Sequence, residues 1–122
     1  MPPQHDPNDY PNPYRVDEGW AKLPDGRKWG GVSAVDMDRD GKSVWVLDRC
    51  GPKGCMDPIG ATINPIQKFD RDGKLIASFG AGLFNWPHGF FVEREGNVWA
   101  TDGIGVNGKG NTVSSSAPRA RS

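Results

Sequence analysis

Short apolar runs separated by polar turns predict β-strands along most of the chain from residue 31 onward. The clearest case is "SVWVLD", which follows the Asp-Gly turn "DRDGK" and is rich in β-branched and aromatic residues, as hairpin strands are. The same turn sequence recurs at 70–74, and an acidic Gly-Asn turn follows at 93–97. The pattern predicts six strands, joined in pairs as hairpins, near residues 32–37, 43–48, 65–70, 75–79, 89–93 and 97–101.

The hairpins also repeat along the chain. Trp45 and Trp99 stand 54 positions apart, and Asp48 and Asp102 are separated by the same interval. A period near this length, with four strands in each unit, is typical of a β-propeller blade. By this count one blade is complete and the next stops after two strands. The pattern therefore predicts an all-β fold, an incomplete β-propeller of about one and a half four-stranded blades, with an unrelated pair of hairpins as the alternative.

Changes of pattern divide the chain into four predicted segments. Residues 1–30 form an extended N-terminal arm, which is rich in Pro and Asn and poorly ordered at its start. His5 belongs to this arm and is assigned no role. Residues 31–83 form the first blade with a cysteine loop, 84–112 form a partial second blade, and 113–122 form a disordered tail.

The charge balance excludes some classes of partner. The chain has 15 basic and 15 acidic side chains and no basic run, so nothing in it predicts binding to nucleic acid or to an anionic membrane surface. No apolar run approaches the roughly 18 residues of a membrane span. The N-terminus also lacks the apolar core of a signal peptide. The sequence by itself therefore leaves the localisation open.

The two cysteines of the chain, Cys50 and Cys55, stand close together in "RCGPKGC". Four intervening residues, two of them glycine, allow the Cα atoms to approach within disulfide distance. The spacing differs from a CxxC redox pair, and no second Cys/His pair completes a zinc ribbon. A disulfide that closes the loop and a pair of free thiols are both compatible with the sequence. A disulfide would indicate an oxidising compartment.

One histidine stands at the mouth of the third hairpin, in "WPHGFF". His88 is a candidate metal ligand or catalytic group, because imidazole is a common ligand of Zn²⁺ and a strand entrance can face a central channel. The alternative is a polar loop residue without a chemical role. Arg49, directly after "VWVLD", is a candidate for binding a carboxylate of a substrate. The alternative is a surface arginine that forms an ion pair with a nearby aspartate.

The stretch "PHGFFVEREGNVWATD" resembles an NHL-type repeat. Within that group, residues 31–103 resemble the N-terminal blades of peptidyl-α-hydroxyglycine α-amidating lyase and its bacterial six-bladed relatives. "ASFGAGLFNWPHGFFVEREGNVWATD" carries most of this likeness, and "WVLDRCG" adds to it. The resemblance implies a six-bladed propeller and a zinc lyase, which splits a C-terminal α-hydroxyglycine from a peptide and leaves a peptide amide and glyoxylate.

The resemblance also implies roles for individual residues. His88 matches the first of the three zinc histidines of the family, and Arg49 matches an arginine used in catalysis. Val35 and Phe90 match positions whose backbone carbonyls help to bind a structural calcium. The substrate would be a peptide or another small molecule, and the full-length protein would be periplasmic or secreted.

The sequence departs from this family beyond the partial second blade. The other two zinc histidines, the catalytic tyrosine and the closing blades have no counterpart, so the resemblance predicts a fragment that is inactive alone and binds neither zinc nor calcium tightly. The alternative is a non-catalytic NHL-repeat propeller that binds a protein or small ligand at its channel face. A third hypothesis is a truncated product without a function of its own.

The end of the chain, "VSSSAPRARS", breaks the strand pattern. A family-like continuation of "KGNT", written in GC-rich codons and shifted by one deleted base, translates into the same residue order from Val113 onward. We therefore predict a frameshift, or a sequencing error, near the Val113 codon. An ordinary disordered tail of Ser, Ala, Pro and Arg is the alternative.

Overall fold

The structure, a computed structural model, describes residues 6–116 and is all-β in that range apart from two short 3-10 turns. The predicted fold class is confirmed, and each of the six predicted strands is present within two residues of its predicted bounds. A seventh strand follows them. The strands are β1 (Val32–Met37), β2 (Val44–Asp48), β3 (Ile66–Phe69), β4 (Leu75–Phe79), β5 (Pro87–Val92), β6 (Val98–Asp102) and β7 (Val113–Ser116). The 3-10 turns are Pro7–Asp9 and Gly60–Thr62.

The strands form two antiparallel sheets in which neighbours in sequence are also neighbours in space. The first sheet has the order β1-β2-β3-β4, and the second has the order β5-β6-β7. Neither sheet closes into a barrel. A four-stranded and a three-stranded meander, packed side by side, fit the predicted incomplete propeller. No helix within residues 6–116 is long and apolar enough to cross a membrane.

The two sheets pack through apolar side chains and through a few hydrogen bonds between β1 and β5. Trp45, which is fully buried, lies 6.0 Å from the Phe79 ring within its own sheet and 6.3 Å from the Phe90 ring of the second sheet. The Ser33 hydroxyl donates to the Pro87 carbonyl at 3.0 Å. These contacts hold β1 beside β5, so the first strands of the two sheets are adjacent.

The N-terminal arm, predicted to be an extended segment over 1–30, docks on the first sheet from Trp20 onward. The Lys22 N–H donates to the Gly73 carbonyl at 2.9 Å, and the Trp20 indole lies 6.2 Å from the Phe69 ring. A Cβ at Gly73 would stand 1.8 Å from the Trp20 carbonyl oxygen, so this contact requires glycine in the second "DRDGK" turn. His5 lies outside the described residues.

The sequence predicts a disordered tail over 113–122, but the first four residues of this segment form a strand in the structure. Val113–Ser116 forms β7, which pairs with β6 from Thr101 opposite Val113 to Val98 opposite Ser116. Strand pairing uses backbone N–H and C=O groups, so a serine-rich segment can occupy the free edge of β6. The remaining part, 117–122, lies outside the described residues.

Candidate functional site

Two buried aspartates organise the loops from which the candidate site is built. Asp48 ends β2, and its carboxylate accepts hydrogen bonds from the backbone N–H of Gly30 at 2.7 Å and of Gly51 at 2.8 Å. Asp102 ends β6, and its carboxylate accepts from the N–H of Asn85 at 2.7 Å and of Trp86 at 2.8 Å. Each carboxylate thereby fixes the backbone beside a candidate residue, because hydrogen bonds to an ionised acceptor are strong.

Arg49 follows Asp48 directly and begins the cysteine loop. Cys50 and Cys55 are joined in a disulfide with their Cα atoms 4.9 Å apart, and both are buried. Cys50 adopts a left-handed backbone conformation with a φ of 58°, which turns the chain sharply after Arg49. The bond therefore keeps the loop folded beside the arginine.

The Arg49 guanidinium stacks on the Trp86 ring. The Cζ atom lies 4.1 Å from the ring centroid, which is a close cation–π contact. The Nε atom of Arg49 is buried and has no hydrogen-bond partner, and no acidic side chain within residues 6–116 forms a salt bridge with this arginine. A half-buried guanidinium without a counter-ion is unusual in a folded protein and is suited to binding an anion.

His88 lies next to the same tryptophan. The strand register shifts between Pro87 and Phe90, so His88 stands at an irregularity where β5 begins, a common position next to functional sites. Its side chain is exposed, and its ring lies 4.8 Å from the Trp86 ring. The two residues predicted from the sequence, Arg49 and His88, are therefore brought together through Trp86.

Trp86 itself was not predicted to have a role, because five tryptophans in a β-rich chain are more often blade packing. Two features fix its position. Its backbone is held by Asp102, and its ring packs on Gly103, where a Cβ would stand 2.7 Å from the ring carbon Cε3. A tryptophan directly before "PHG" and a glycine directly after "TD" are the sequence signals for this arrangement.

Arg49 and Trp86 line a cavity of about 250 Å³, which the cysteine loop closes on one side. A second cavity of about 420 Å³ lies next to it and is more apolar. The lining of the first cavity includes Arg49 and Lys53, and the lining of the second includes Lys109. Among the residues that the structure describes, no aspartate or glutamate lines either cavity, although the chain has 15 acidic residues. The first cavity, with Arg49 and Lys53 in its lining, therefore favours an anionic ligand over a cationic one.

His88, the predicted zinc ligand, does not form a metal site by itself. Within residues 6–116 no three side chains of His, Cys, Asp and Glu gather to hold a metal ion. Val35 and Phe90, the residues matched to a calcium site, lie on the adjacent strands β1 and β5 and occupy equivalent places in their sheets. Val35 pairs with Val46 of β2, and Phe90 pairs with Ala100 of β6.

One curated relative supports the resemblance in the sequence. A Caenorhabditis elegans protein named "Probable peptidyl-alpha-hydroxyglycine alpha-amidating lyase" is 31% identical to the chain over 77 residues. These residues are 63% of this chain and 18% of that protein, so the chain spans about a fifth of the length of the relative it matches. No protein-family model matches the chain, and no solved structure matches it. The similarity supports a distant relationship between the chain and that lyase.

Proposed function

We propose that the chain carries the Arg49 and His88 part of an NHL-type propeller related to the zinc-dependent peptidyl-α-hydroxyglycine lyases. The observation that carries the proposal is the half-buried Arg49 guanidinium, which has no counter-ion within residues 6–116 and is stacked on Trp86 at the wall of a cavity whose described lining has no acidic residue. The relationship to the Caenorhabditis elegans lyase supports the same function. The substrate is a peptide that ends in α-hydroxyglycine.

Arg49 suits the charged end of such a substrate. A guanidinium can donate two parallel hydrogen bonds to a carboxylate, and burial strengthens them because the surrounding dielectric is low. Trp86 holds the guanidinium plane in place and so reduces the entropy lost on binding. In the reaction the bond between the amide nitrogen and the α-carbon breaks. The nitrogen takes up a proton and becomes the peptide amide, while the hydroxyl loses its proton and becomes the carbonyl of glyoxylate.

Zinc and calcium belong to this proposal as cofactors of a propeller with further blades. His88 would be one of three histidine ligands, and zinc would supply Lewis-acid chemistry at the hydroxyl or carboxylate end of the substrate. The backbone carbonyls of Val35 and Phe90 would contribute to a structural calcium site. The chain has two histidines in all, so it cannot supply three histidine ligands, and we expect it to be inactive by itself.

Binding of a carboxylate by the 122-residue chain tests the role of Arg49. N-acetyl-phenylalanyl-glycine has the same terminal carboxylate as a peptide that ends in α-hydroxyglycine and lacks only the hydroxyl group of that residue. Titration calorimetry can therefore follow its binding without turnover. Arg49→Ala should reduce the affinity about tenfold or more, as expected for a charge-assisted pair. Arg71→Ala, at an exposed arginine of the second "DRDGK" turn, is the matched control. Equal affinity in the Arg49→Ala variant would contradict the proposal.

Turnover is tested in a longer protein that contains these blades. With N-acetyl-phenylalanyl-α-hydroxyglycine as substrate, Arg49→Ala should lower glyoxylate release while the zinc content stays the same. His88→Ala should lower the zinc content itself. A His88→Ala variant with its full zinc content would remove the ligand assignment.

A non-catalytic propeller is the second candidate function. Val32 and Val35 are exposed on β1, at 46% and 64%, and β1 would face the central channel of a propeller. Apolar side chains at that position suit binding of a protein or small ligand. Peptide binding without glyoxylate release in the longer protein would favour this function over the lyase.

A further inference from the structure

The two cavities beside Arg49 have a common wall. Cys55, Met56 and Asn85 line both of them, so the cavities lie side by side and form one groove. The Arg49 end of the groove carries the guanidinium and Lys53. The far end is lined by the apolar side chains of Ala61 and Val106 and by the polar residues Asn107 and Lys109.

Both sides of the far end are held in place. On one side Asn85 is buried, and its Nδ2 donates to the carbonyls of Ile104 at 2.9 Å and Lys109 at 2.6 Å, which ties down the loop after β6. On the other side the disulfide from Cys50 to Cys55 holds the start of the segment that carries Met56. A preformed cavity of this kind binds a ligand at a lower entropic cost than a mobile loop does.

The charges of the groove indicate how a ligand lies in it. The cationic groups at the Arg49 end have no acidic partner within the described range, so the anionic end of a ligand belongs there. At the far end the Lys109 ammonium donates to the Gly82 carbonyl at 3.3 Å, so it is partly committed to the protein. Met56, Ala61 and Val106 also line the far end, and their apolar side chains favour an apolar group of the ligand. The flexible side chain of Met56 can adapt to ligand groups of different shapes.

We propose that the groove recognises two residues at the end of a peptide: Arg49 and Lys53 hold the terminal carboxylate, and the cavity at Met56, Ala61 and Val106 takes the apolar side chain of the preceding residue. This inference rests on the proposed function, because Arg49 is assigned there to the carboxylate. It goes further in naming the substrate class, which is peptides with a large apolar residue before the terminal one. Aromatic side chains bury the most apolar area and should bind best.

Three peptides separate the two contributions in the 122-residue chain. N-acetyl-phenylalanyl-glycine has both the carboxylate and the apolar side chain, N-acetyl-glycyl-glycine lacks the side chain, and N-acetyl-phenylalanyl-glycinamide lacks the carboxylate. NMR titration gives the affinity and the site together, through the Arg49 Nε–H signal and the backbone signals of Ala61 and Val106. The first peptide should bind about tenfold or more tightly than the second, because a large apolar side chain leaves water. Only the first should shift both sets of signals.

Filling the far cavity tests its assignment directly. Ala61→Phe should remove the preference for N-acetyl-phenylalanyl-glycine over N-acetyl-glycyl-glycine, because the new ring occupies the cavity. Ile59→Phe is the matched control, since Ile59 is exposed in the same segment and does not line this cavity. Val106→Phe fills the cavity from the opposite wall and should have the same effect, so the test does not depend on the folding of one variant.

The outcomes distinguish this inference from the proposed function. Equal affinities of the phenylalanyl and glycyl peptides, with the Arg49 signal shifted by both, would overturn the side-chain cavity and leave the carboxylate site standing. An unchanged preference for phenylalanine in both cavity-filling variants would overturn it as well. If the glycinamide peptide binds as tightly as the two carboxylates, the Arg49 assignment fails and the inference fails with it.

Discussion

Reducing the disulfide between Cys50 and Cys55 should destabilise the chain by an amount that follows from the loop it closes. The two cysteines are 5 positions apart, and a loop of this length restricts the unfolded chain by about 2 kcal/mol at 25 °C in the loop-entropy treatment. Both cysteines are buried in the apolar core, so separated thiols must also be accommodated in close-packed surroundings. For a domain of about this size, 2 kcal/mol lowers the melting temperature by roughly 5–15 °C.

Thermal unfolding followed by circular dichroism, with and without a phosphine reductant, measures this difference. Mass spectrometry must show both thiols free in the reduced sample. A variant with Cys50→Ala and Cys55→Ala is the control, because its melting temperature should not respond to the reductant. Amide exchange should also become faster at Lys53 and Met56, since the bond holds the wall of the groove. A reduced chain that melts within about 2 °C of the oxidised chain would refute the reasoning.

Three further substitutions test the contacts behind the site and the first turn. Trp86→Leu should lower the free energy of unfolding in urea by about 1–2 kcal/mol, because the cation–π contact with Arg49 is lost. Trp86→Phe should lower it by less, because the phenyl ring keeps part of the contact. Equal stability of the wild-type chain and both variants would contradict the contact. Asp102→Asn should lower the free energy of unfolding by about 1–3 kcal/mol, because an amide nitrogen cannot accept and at least one of the three backbone N–H groups that donate to Asp102 loses its partner, whereas Asp72→Asn, at an exposed carboxylate, should change stability by less than about 0.5 kcal/mol. Hydrogen bonds from the backbone N–H groups of Ser43 and Lys42 lower the pKa of Asp40 from 3.8 to about 2, so its contribution to stability is full above pH 3.8 and is lost as the pH falls through about 2. The acid limb of the stability profile should therefore be shallower in Asp40→Asn and unchanged in Asp72→Asn.

The strands could be predicted because their signals are local. A turn residue pattern and an alternation of apolar and polar side chains lie within a few positions of each other, and the structure departs from the predicted bounds by at most two residues. The hydrogen bonding inside the turns could not be predicted in the same way. In the first "DRDGK" turn Asp40 accepts from the Ser43 N–H and hydroxyl, whereas in the second Asp70 accepts from the Lys74 N–H. The two turns also close differently, since the Asp38 N–H donates to the Ser43 carbonyl, five positions on, whereas the Asp70 N–H donates to the Lys74 carbonyl, four positions on.

The contacts that form the site could not be predicted from the sequence, because they join residues that are far apart along the chain. Arg49 and Trp86 are 37 positions apart, and nothing in either local sequence says that they stack. The docking of Trp20 on the second "DRDGK" turn and the pairing of β7 with β6 are long-range contacts of the same kind. The cysteine spacing allows a disulfide without requiring one, and the left-handed backbone that Cys50 adopts in the bonded loop has no signal in the sequence.

A repeated structural element explains how two similar sheets contribute different chemistry to one cavity. In the first sheet the buried carboxylate of Asp48 accepts from the backbone N–H of Gly51, two positions after Arg49, and of Gly30, in the segment before β1. In the second sheet the equivalent carboxylate of Asp102 holds the backbone of Trp86. Because β1 and β5 are adjacent, the two anchored segments meet, and the cation of one sheet lies on the aromatic ring of the other. The aspartate that ends the second strand is therefore a structural residue in both sheets, while the residues it positions are free to differ and to carry the function.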